Sequence, residues 1–251
     1  MAKFIGKDFI PPDIQAKVTG KAKYSEDFSV EGMVHCRLMM SPVPHGKVRN
    51  IDTSTAEEMP GVVGILTADD VPEQPPPGNP ILTNNPHYVG DPILAVAAVD
   101  EKIAQDAIDA IKIDFETLPY TIDPLASLYP GGIDAREEGN ARDRREGSKS
   151  IKWTARDFAA VGEDECPTGE AASEWSYGNL DSGFKKAALT LDESFITASN
   201  PHLSLESRST LAYWENGKCF VHGSSQSHTW VLPGLARYIG IEPENLVFIA
   251  E

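Results

Sequence analysis

Apolar and polar positions in the first half of the chain mark out alternating strands and helices. Residues 91–99, DPILAVAAV, are almost continuously apolar, which is typical of a buried strand. Residues 100–113 carry apolar side chains at the spacing of one helical face, namely Ile103, Ala107, Ile108 and Ile111. Residues 111–123 then alternate until they meet a proline, which predicts another strand. This order of strand, helix and strand indicates an α/β or α+β layer.

The last third of the chain has a second patterned unit. Residues 180–188 predict a short helix and residues 189–197 a strand with partial alternation. Residues 204–225 predict a hairpin, because Asn216-Gly217 is the strongest short turn signal between two β-rich runs. A helix is predicted to end at Gly240, and a new strand follows it. The sequence stops within that strand, so we expect the chain to carry only part of a site.

The remaining segments have weak patterns and divide the chain. Residues 73–80, EQPPPGNP, favour a loop. Residues 129–150 are rich in glycine and charge and favour a linker or mobile loop. The tryptophans at positions 153 and 175 favour packing of residues 151–178 against another part of the protein. We therefore expect an N-terminal arm, a first domain, a connecting segment and the start of a second domain, at residues 1–17, 18–128, 129–178 and 179–251.

Composition narrows the classes of partner. The formal net charge is −16 and the pI is about 4.7, which argues against nucleic acid and against an anionic membrane surface. Three cysteines, with no C-x-x-C pair, encode neither a disulfide framework nor a zinc or iron–sulfur site. The sequence begins without a signal peptide, and no apolar run approaches the ~20 residues of a membrane span. A cytoplasmic location is expected.

Three local clusters could carry chemistry, although G-x-S-x-G, H-E-x-x-H and G-x-G-x-x-G motifs are absent from the sequence. Around His45, a turn with a capping histidine is the simpler interpretation. His202 and Glu206 would share one face of a strand, where an ion pair or a paired buried acid is the simpler interpretation. Gln226, between Ser225 and Ser227, can both donate and accept hydrogen bonds, which suits an oxo or hydroxyl ligand.

Long stretches of the chain resemble one known family. The runs at 20–28 (GKAKYSEDF), 41–72 and 87–124 resemble the a/b-hammerhead domain of the xanthine dehydrogenase/aldehyde oxidase family of molybdenum hydroxylases. Residues 200–251 are similar to the opening of that family's molybdopterin-binding domain. The resemblance implies an α+β fold, with a hammerhead domain followed by an incomplete molybdopterin-binding domain.

The resemblance also implies a chemistry. Members of the family hydroxylate aldehydes or N-heteroaromatic rings, such as purines and nicotinate-like compounds, with oxygen from water. Their molybdenum is held by a pterin cofactor, and electrons leave through [2Fe–2S] clusters, often to FAD. Ser225 and Gln226 match the family's S-Q position, so Gln226 is expected to hydrogen-bond a molybdenum ligand. His202 and Glu206 are expected to support the site from behind it.

The sequence departs from the family pattern where catalysis is concerned. The glycine-rich pterin loop and the catalytic glutamate of the family are not found, so no catalytic base is expected in this chain and it should be inactive alone. Its expected partners are the C-terminal half of the molybdopterin subunit, an iron–sulfur subunit and an FAD subunit. It is either a naturally split subunit or part of a longer one. A non-catalytic assembly module, a hydroxybenzoyl-CoA reductase subunit and a carbon monoxide dehydrogenase subunit remain alternatives.

Overall fold

A computed structural model of the protein describes residues 5–71, 80–143, 147–162, 165–167, 169, 173–191, 193, 195, 197 and 200–250. Helices and strands are mixed along the chain, and the strands form two three-stranded and two two-stranded sheets within these residues, which confirms the α+β class. The predicted loop at 73–80 lies outside the described residues except for its last position.

The first unit contains five strands and three α-helices among the described residues. In chain order they are α1 Ile14–Val18, β1 His35–Met40, β2 Gly46–Asp52, α2 Ser54–Glu57, β3 Val62–Leu66, β4 Pro92–Ala98, α3 Glu101–Ala110 and β5 Lys112–Thr117.

The core of the first unit lies between one sheet and helix α3. The apolar strand β4 occupies the centre of the sheet and pairs antiparallel with β1 and β3. Leu94 and Val96 of β4 are fully buried against Ala107 of α3. The helix begins where the Asp100 side chain accepts a hydrogen bond from the Ile103 amide at 2.8 Å, which satisfies one of its free N–H groups. The predicted buried strand and amphipathic helix are confirmed.

A second, two-stranded sheet completes this unit. Strands β2 and β5 pair antiparallel, and Ile51 and Ile113 pack on the same core. A glycine is required at the start of β2 because a Cβ on Gly46 would lie 2.0 Å from Cε1 of Phe115. The ring of Phe115 thus occupies the space that a side chain at position 46 would need.

The segment that the sequence favoured as a linker contains regular structure. Helix α4 Pro124–Leu128 lies just before this segment. The segment itself, residues 129–178, holds the hairpin strands β6 Ala141–Asp143 and β7 Gly147–Lys149 and helix α5 Ala155–Ala159. The rings of Tyr129, Trp153 and Phe158 pack together with centroids 5.3–5.6 Å apart. The expectation that a tryptophan here is packed therefore holds for Trp153, but fails for Trp175, which is 88% exposed.

One lysine ties this segment together. Nζ of Lys152 donates to the carbonyl oxygens of Ser127 and Gly132, at 2.5 and 2.8 Å. It also lies 2.6 Å from Oδ1 of Asp134. The ammonium group therefore joins positions that are about twenty residues away in sequence, which explains how a segment with few apolar residues folds.

The second unit is a three-stranded sheet covered by one long helix. Its elements are α6 Leu180–Lys186, β8 Thr210–Glu215, β9 Lys218–Gly223, α7 His228–Ile239 and β10 Leu246–Ile249. The predicted hairpin is confirmed, with positive φ values of 50° and 79° at Asn216 and Gly217. Strand β10 pairs in parallel with β9, and α7 makes the crossover between them.

Residues before the first sheet pack on the second unit. The ring of Phe28 lies 5.0 Å from the ring of His222 on β9. Oγ of Ser207 donates to Oε1 of Glu26 at 2.9 Å. The N-terminal segment therefore contacts the sheet β8–β9 as well as leading into β1.

The strand predicted at residues 189–197 is absent from the positions that the structure describes there. Leu189, Leu191 and Phe195 are 70–87% exposed. Over the described ranges, no helix has both the length and the apolar character needed to cross a membrane.

Candidate functional site

The loop between β9 and α7 places Gln226 at the start of a long helix. Strand β9 ends at Gly223, and Ser227 in extended conformation precedes the first helical residue. Oγ of Ser225 accepts a hydrogen bond from the Ser227 amide at 3.0 Å, which fixes the loop beneath Gln226. The loop geometry follows from Ser225, whose hydroxyl replaces a backbone partner just before the helix, whereas the side chain of Ser227 makes no capping hydrogen bond.

An open cleft of about 570 Å³ surrounds this loop. It is lined by Ser224, Ser225, Gln226, Ser227, Trp230 and Val231. Gln226 is exposed to the cleft, and within the described part of the chain its amide has no hydrogen-bond partner. One oxygen and two N–H donors are thus available to a ligand at this position.

The cleft can orient a ligand and has no proton acceptor of its own in its lining. All six lining residues are neutral, and the first turn of α7 has no acidic residue. The N-terminal amides of α7 add a positive partial charge on this side of the loop. A ligand oxygen that carries negative charge is favoured here, whereas a general base has to come from elsewhere.

His202 and Glu206 lie in a segment without regular structure. The prediction that they share a strand face is wrong, because residues 201–209 form no strand and Leu203 has a φ of 47°. Neither residue lines the cleft around Gln226. The pKa of Lys17 is raised mainly by its bond to Asp13, and in smaller part by the charge of Glu206. Glu206 therefore faces the N-terminal segment.

The cluster around His45 is a turn held by a histidine, as its simpler interpretation predicts. Nδ1 of His45 lies 2.7 Å from the carbonyl oxygen of Pro119, to which it can donate. Its ring stacks on His87 with centroids 5.5 Å apart. Burial, followed by the charges of Arg136 and His45, lowers the pKa of His87, which favours the neutral form of the His87 ring. The cluster joins the β1–β2 turn to the end of β5.

Sequence reasoning missed Trp230 as a residue of the site. It lines the cleft beside Gln226 and is 82% exposed. The only signal was its position four residues after Gln226, at the start of the predicted helix, which is the spacing of neighbours on a helical face.

The described residues contain no group of three or more His, Cys, Asp or Glu side chains that could hold a metal ion. The donor set at the cleft is instead one primary amide and serine hydroxyls. Such groups form hydrogen bonds and are poor ligands for a soft or high-valent metal. The amide and hydroxyl groups of the cleft therefore suit a metal complex that brings its own metal ligands. They would form hydrogen bonds with the oxygen atoms of that complex.

Comparison with known proteins identifies both units. Residues 19–119 match the family described as aldehyde oxidase and xanthine dehydrogenase, a/b hammerhead domain. Residues 163–251 match the molybdopterin cofactor-binding domain.

Individual relatives are similar over nearly the whole chain. A probable xanthine dehydrogenase subunit of Bacillus subtilis (strain 168) is 27% identical over 225 residues, which are 87% of this chain and 26% of that protein. The aldehyde oxidoreductase of Megalodesulfovibrio gigas is 28% identical over 264 residues, 98% of this chain and 26% of that protein.

A solved structure agrees with these relatives. The aldehyde oxidoreductase from Desulfovibrio gigas superimposes with a TM-score of 0.69 at 25% identity, covering 96% of this chain and 26% of the other. The chain thus spans about a quarter of the length of the curated relatives it matches.

Proposed function

Because the chain belongs to the xanthine dehydrogenase/aldehyde oxidase family of molybdenum hydroxylases, we propose that it forms one wall of a molybdenum active site. In this proposal it acts within an oxidoreductase that hydroxylates N-heteroaromatic rings or aldehydes with oxygen from water. The observation that carries the proposal is the free amide of Gln226, exposed in an open cleft at the start of helix α7.

The cleft residues fit a pterin-held molybdenum centre as hydrogen-bonding partners. Gln226 would hold an oxygen ligand of the metal through its amide, and Ser225 would hold the loop in place through its contact with the Ser227 amide. When bound, the cofactor supplies oxygen-atom transfer and takes up the electron pair. The side chains of this chain orient that group and leave the redox chemistry to it.

The general base is assigned to the remainder of the molybdenum subunit. This division is supported by the neutral lining of the cleft and by the quarter of its relatives' length that the chain spans. A substrate proton therefore has no acceptor on this wall of the site. On this view the isolated chain is inactive, and Glu206 and His202 contribute to the site only through the packing of their segment.

Partner subunits complete the electron path in this proposal. They would carry the [2Fe–2S] clusters and FAD, because the sequence has only three cysteines and no C-x-x-C pair for a cluster of its own. The remainder of the molybdopterin subunit is the immediate partner. The exposed side chains of Leu180 and Phe184, four positions apart on helix α6, offer it apolar contacts.

Co-expression tests the proposal. The chain is produced with the remainder of the molybdenum subunit and, separately, alone. The complex is expected to contain molybdenum and pterin in equal amounts, measured by mass spectrometry of the metal and fluorescence of the oxidised pterin. The chain alone is expected to contain neither. A stable complex without molybdenum would overturn the proposal in favour of a non-catalytic assembly role.

A further inference from the structure

Trp230 stands out in the cleft because it is the one ring among the residues that line it. The other five lining residues are three serines, Gln226 and Val231. Trp230 is 82% exposed, although a large aromatic side chain is usually buried or engaged with a partner. Its exposure therefore indicates that a ligand or another protein surface covers this side chain in the assembled site.

Helix α7 does not need Trp230 for its own packing. The helix contacts its sheet through Leu232, Leu235 and Ala236, which join the buried cluster with Val221. At about 100° per residue, Trp230 lies about 200° around the helix from Leu232 and so on the opposite side. The ring of His228 lies on the same side as the sheet, with its centroid 5.5 Å from that of Phe248. The side chain of Trp230 therefore takes no part in the packing of α7 on its sheet and lines the cleft instead.

The helix directs Trp230 towards Gln226. Side chains of a helix lean towards its N-terminus and cover the preceding turn. For Trp230, the preceding turn is the loop that carries Gln226 and Ser227. The indole face and the Gln226 amide therefore border the same space, in agreement with the lining of the cleft.

The chemistry of the lining selects a class of ligand. An indole face stacks on a flat, conjugated ring over a larger area than a short aliphatic chain can cover, and stacking adds to the apolar contact. All six lining side chains are uncharged, so none of them can form an ion pair with a charged ring substituent. We propose that Trp230 is a specificity-determining residue, which stacks on a neutral planar N-heteroaromatic substrate whose reacting edge points to the group beside Gln226. This inference rests on the proposed function of the cleft.

Binding measurements test the inference without turnover. The complex with the remainder of the molybdenum subunit is purified from cells that cannot make the pterin cofactor. Calorimetry then measures the Kd of quinoline, a planar bicyclic N-heteroaromatic compound, and of propionaldehyde, which has no ring. In Trp230→Ala we expect the Kd of quinoline to rise about tenfold and that of propionaldehyde to stay unchanged.

Two further variants separate stacking from packing. Trp230→Phe keeps a ring and should hold the Kd of quinoline within about threefold, whereas Trp230→Leu fills similar space and should weaken quinoline as the alanine does. Trp214→Ala, a 59% exposed tryptophan of strand β8 outside the cleft lining, should leave both Kd values unchanged.

The outcomes are distinct. Equal quinoline affinity in the wild-type and Trp230→Ala complexes would overturn the inference, as would equal effects of Trp230→Leu and Trp230→Phe. With the cofactor restored, the same variants should change KM for quinoline and leave kcat unchanged. A complex that never binds molybdenum refutes the function proposed above, yet its quinoline affinity still decides the role of Trp230.

Discussion

The ring of Phe28 lies 5.0 Å from the ring of His222, at an interplanar angle of 37°. Phe28 precedes the first sheet, whereas His222 is on strand β9 of the second unit. His222 also stacks on Tyr213, with centroids 6.0 Å apart. The face of the second sheet that does not contact helix α7 is therefore covered in part by residues from the beginning of the chain.

Phe28→Ala is expected to loosen the second sheet. The change removes a half-buried ring and its contact with His222, at a cost of roughly 2 kcal/mol in the free energy of unfolding. Hydrogen exchange at the amides of β8 and β9 should accelerate. The matched control is Phe9→Ala, because Phe9 is 75% exposed and its loss should leave exchange unchanged. Equal exchange in both variants would contradict this packing.

Gly46→Ala is expected to weaken the pairing of β2 with β5. The new Cβ would lie 2.0 Å from the Phe115 ring and 3.0 Å from the Glu116 carbonyl oxygen, so the ring has to leave its position. Overpacking of this kind costs about 1–3 kcal/mol. At Gly64 a Cβ meets nothing within 4 Å, so Gly64→Ala is the control and should change the free energy of unfolding by less than about 0.5 kcal/mol. Urea denaturation measures both.

Low pH is expected to destabilise the segment that is held together by Lys152 and Asp134. The bond from Lys152, followed by one from Ser150, lowers the pKa of Asp134 below its usual 3.8 in the folded protein. Because the pKa is lower in the folded protein, ionised Asp134 stabilises the fold above pH 3.8. This stabilisation is lost as the pH falls through the pKa that Asp134 has in the folded protein. The indole NMR signal of Trp153 should therefore shift below about pH 4.

The variant Asp134→Asn should remove that acid-dependent shift, since the group that takes up the proton is gone. Glu137→Gln, an exposed change in the same segment, should retain it. A shift of equal size in all three proteins would assign the acid response to another carboxylate.

Gln226→Ala in the assembled complex is expected to slow turnover by roughly 10- to 100-fold, the loss of one hydrogen bond to a charged group. Molybdenum content and complex mass should not change, because Gln226 is exposed and supports no packing. The control is Gln105→Ala on α3, where the amide only bonds Asp109 on the same exposed helix face. If Gln226→Ala turned over substrate at the wild-type rate, the proposed role of Gln226 in the site would be wrong.

Local signals in the sequence were sufficient to predict elements whose conformation depends on their own residues. The turn at Asn216-Gly217 favours positive φ on its own, and the run ending in Ala98 is too apolar to lie anywhere but in a core. These elements appear where the pattern predicted them.

Predictions failed where a partner outside the element decides the structure. The hairpin of β6 and β7 is closed by the side chain of Asn140, which donates to the carbonyl oxygen of Ile151 and accepts from its amide, and such polar anchoring has no hydrophobic period to detect. Residues 189–197 alternate like a strand, yet the described positions show no strand that pairs with them. For the site, the resemblance pointed to Gln226, whereas Trp230 required the direction of α7.

The bond between Glu26 and Ser207 spans 181 positions in sequence. A ribosome adds about 5–20 residues per second, so roughly 10–35 s pass between the synthesis of one partner and that of the other. Throughout that interval the ring of Phe28 has left the ribosome's active centre while His222 does not yet exist. Glu26 and Phe28 are thus made well before the residues that they contact in the second unit, and a chaperone has that time to bind them.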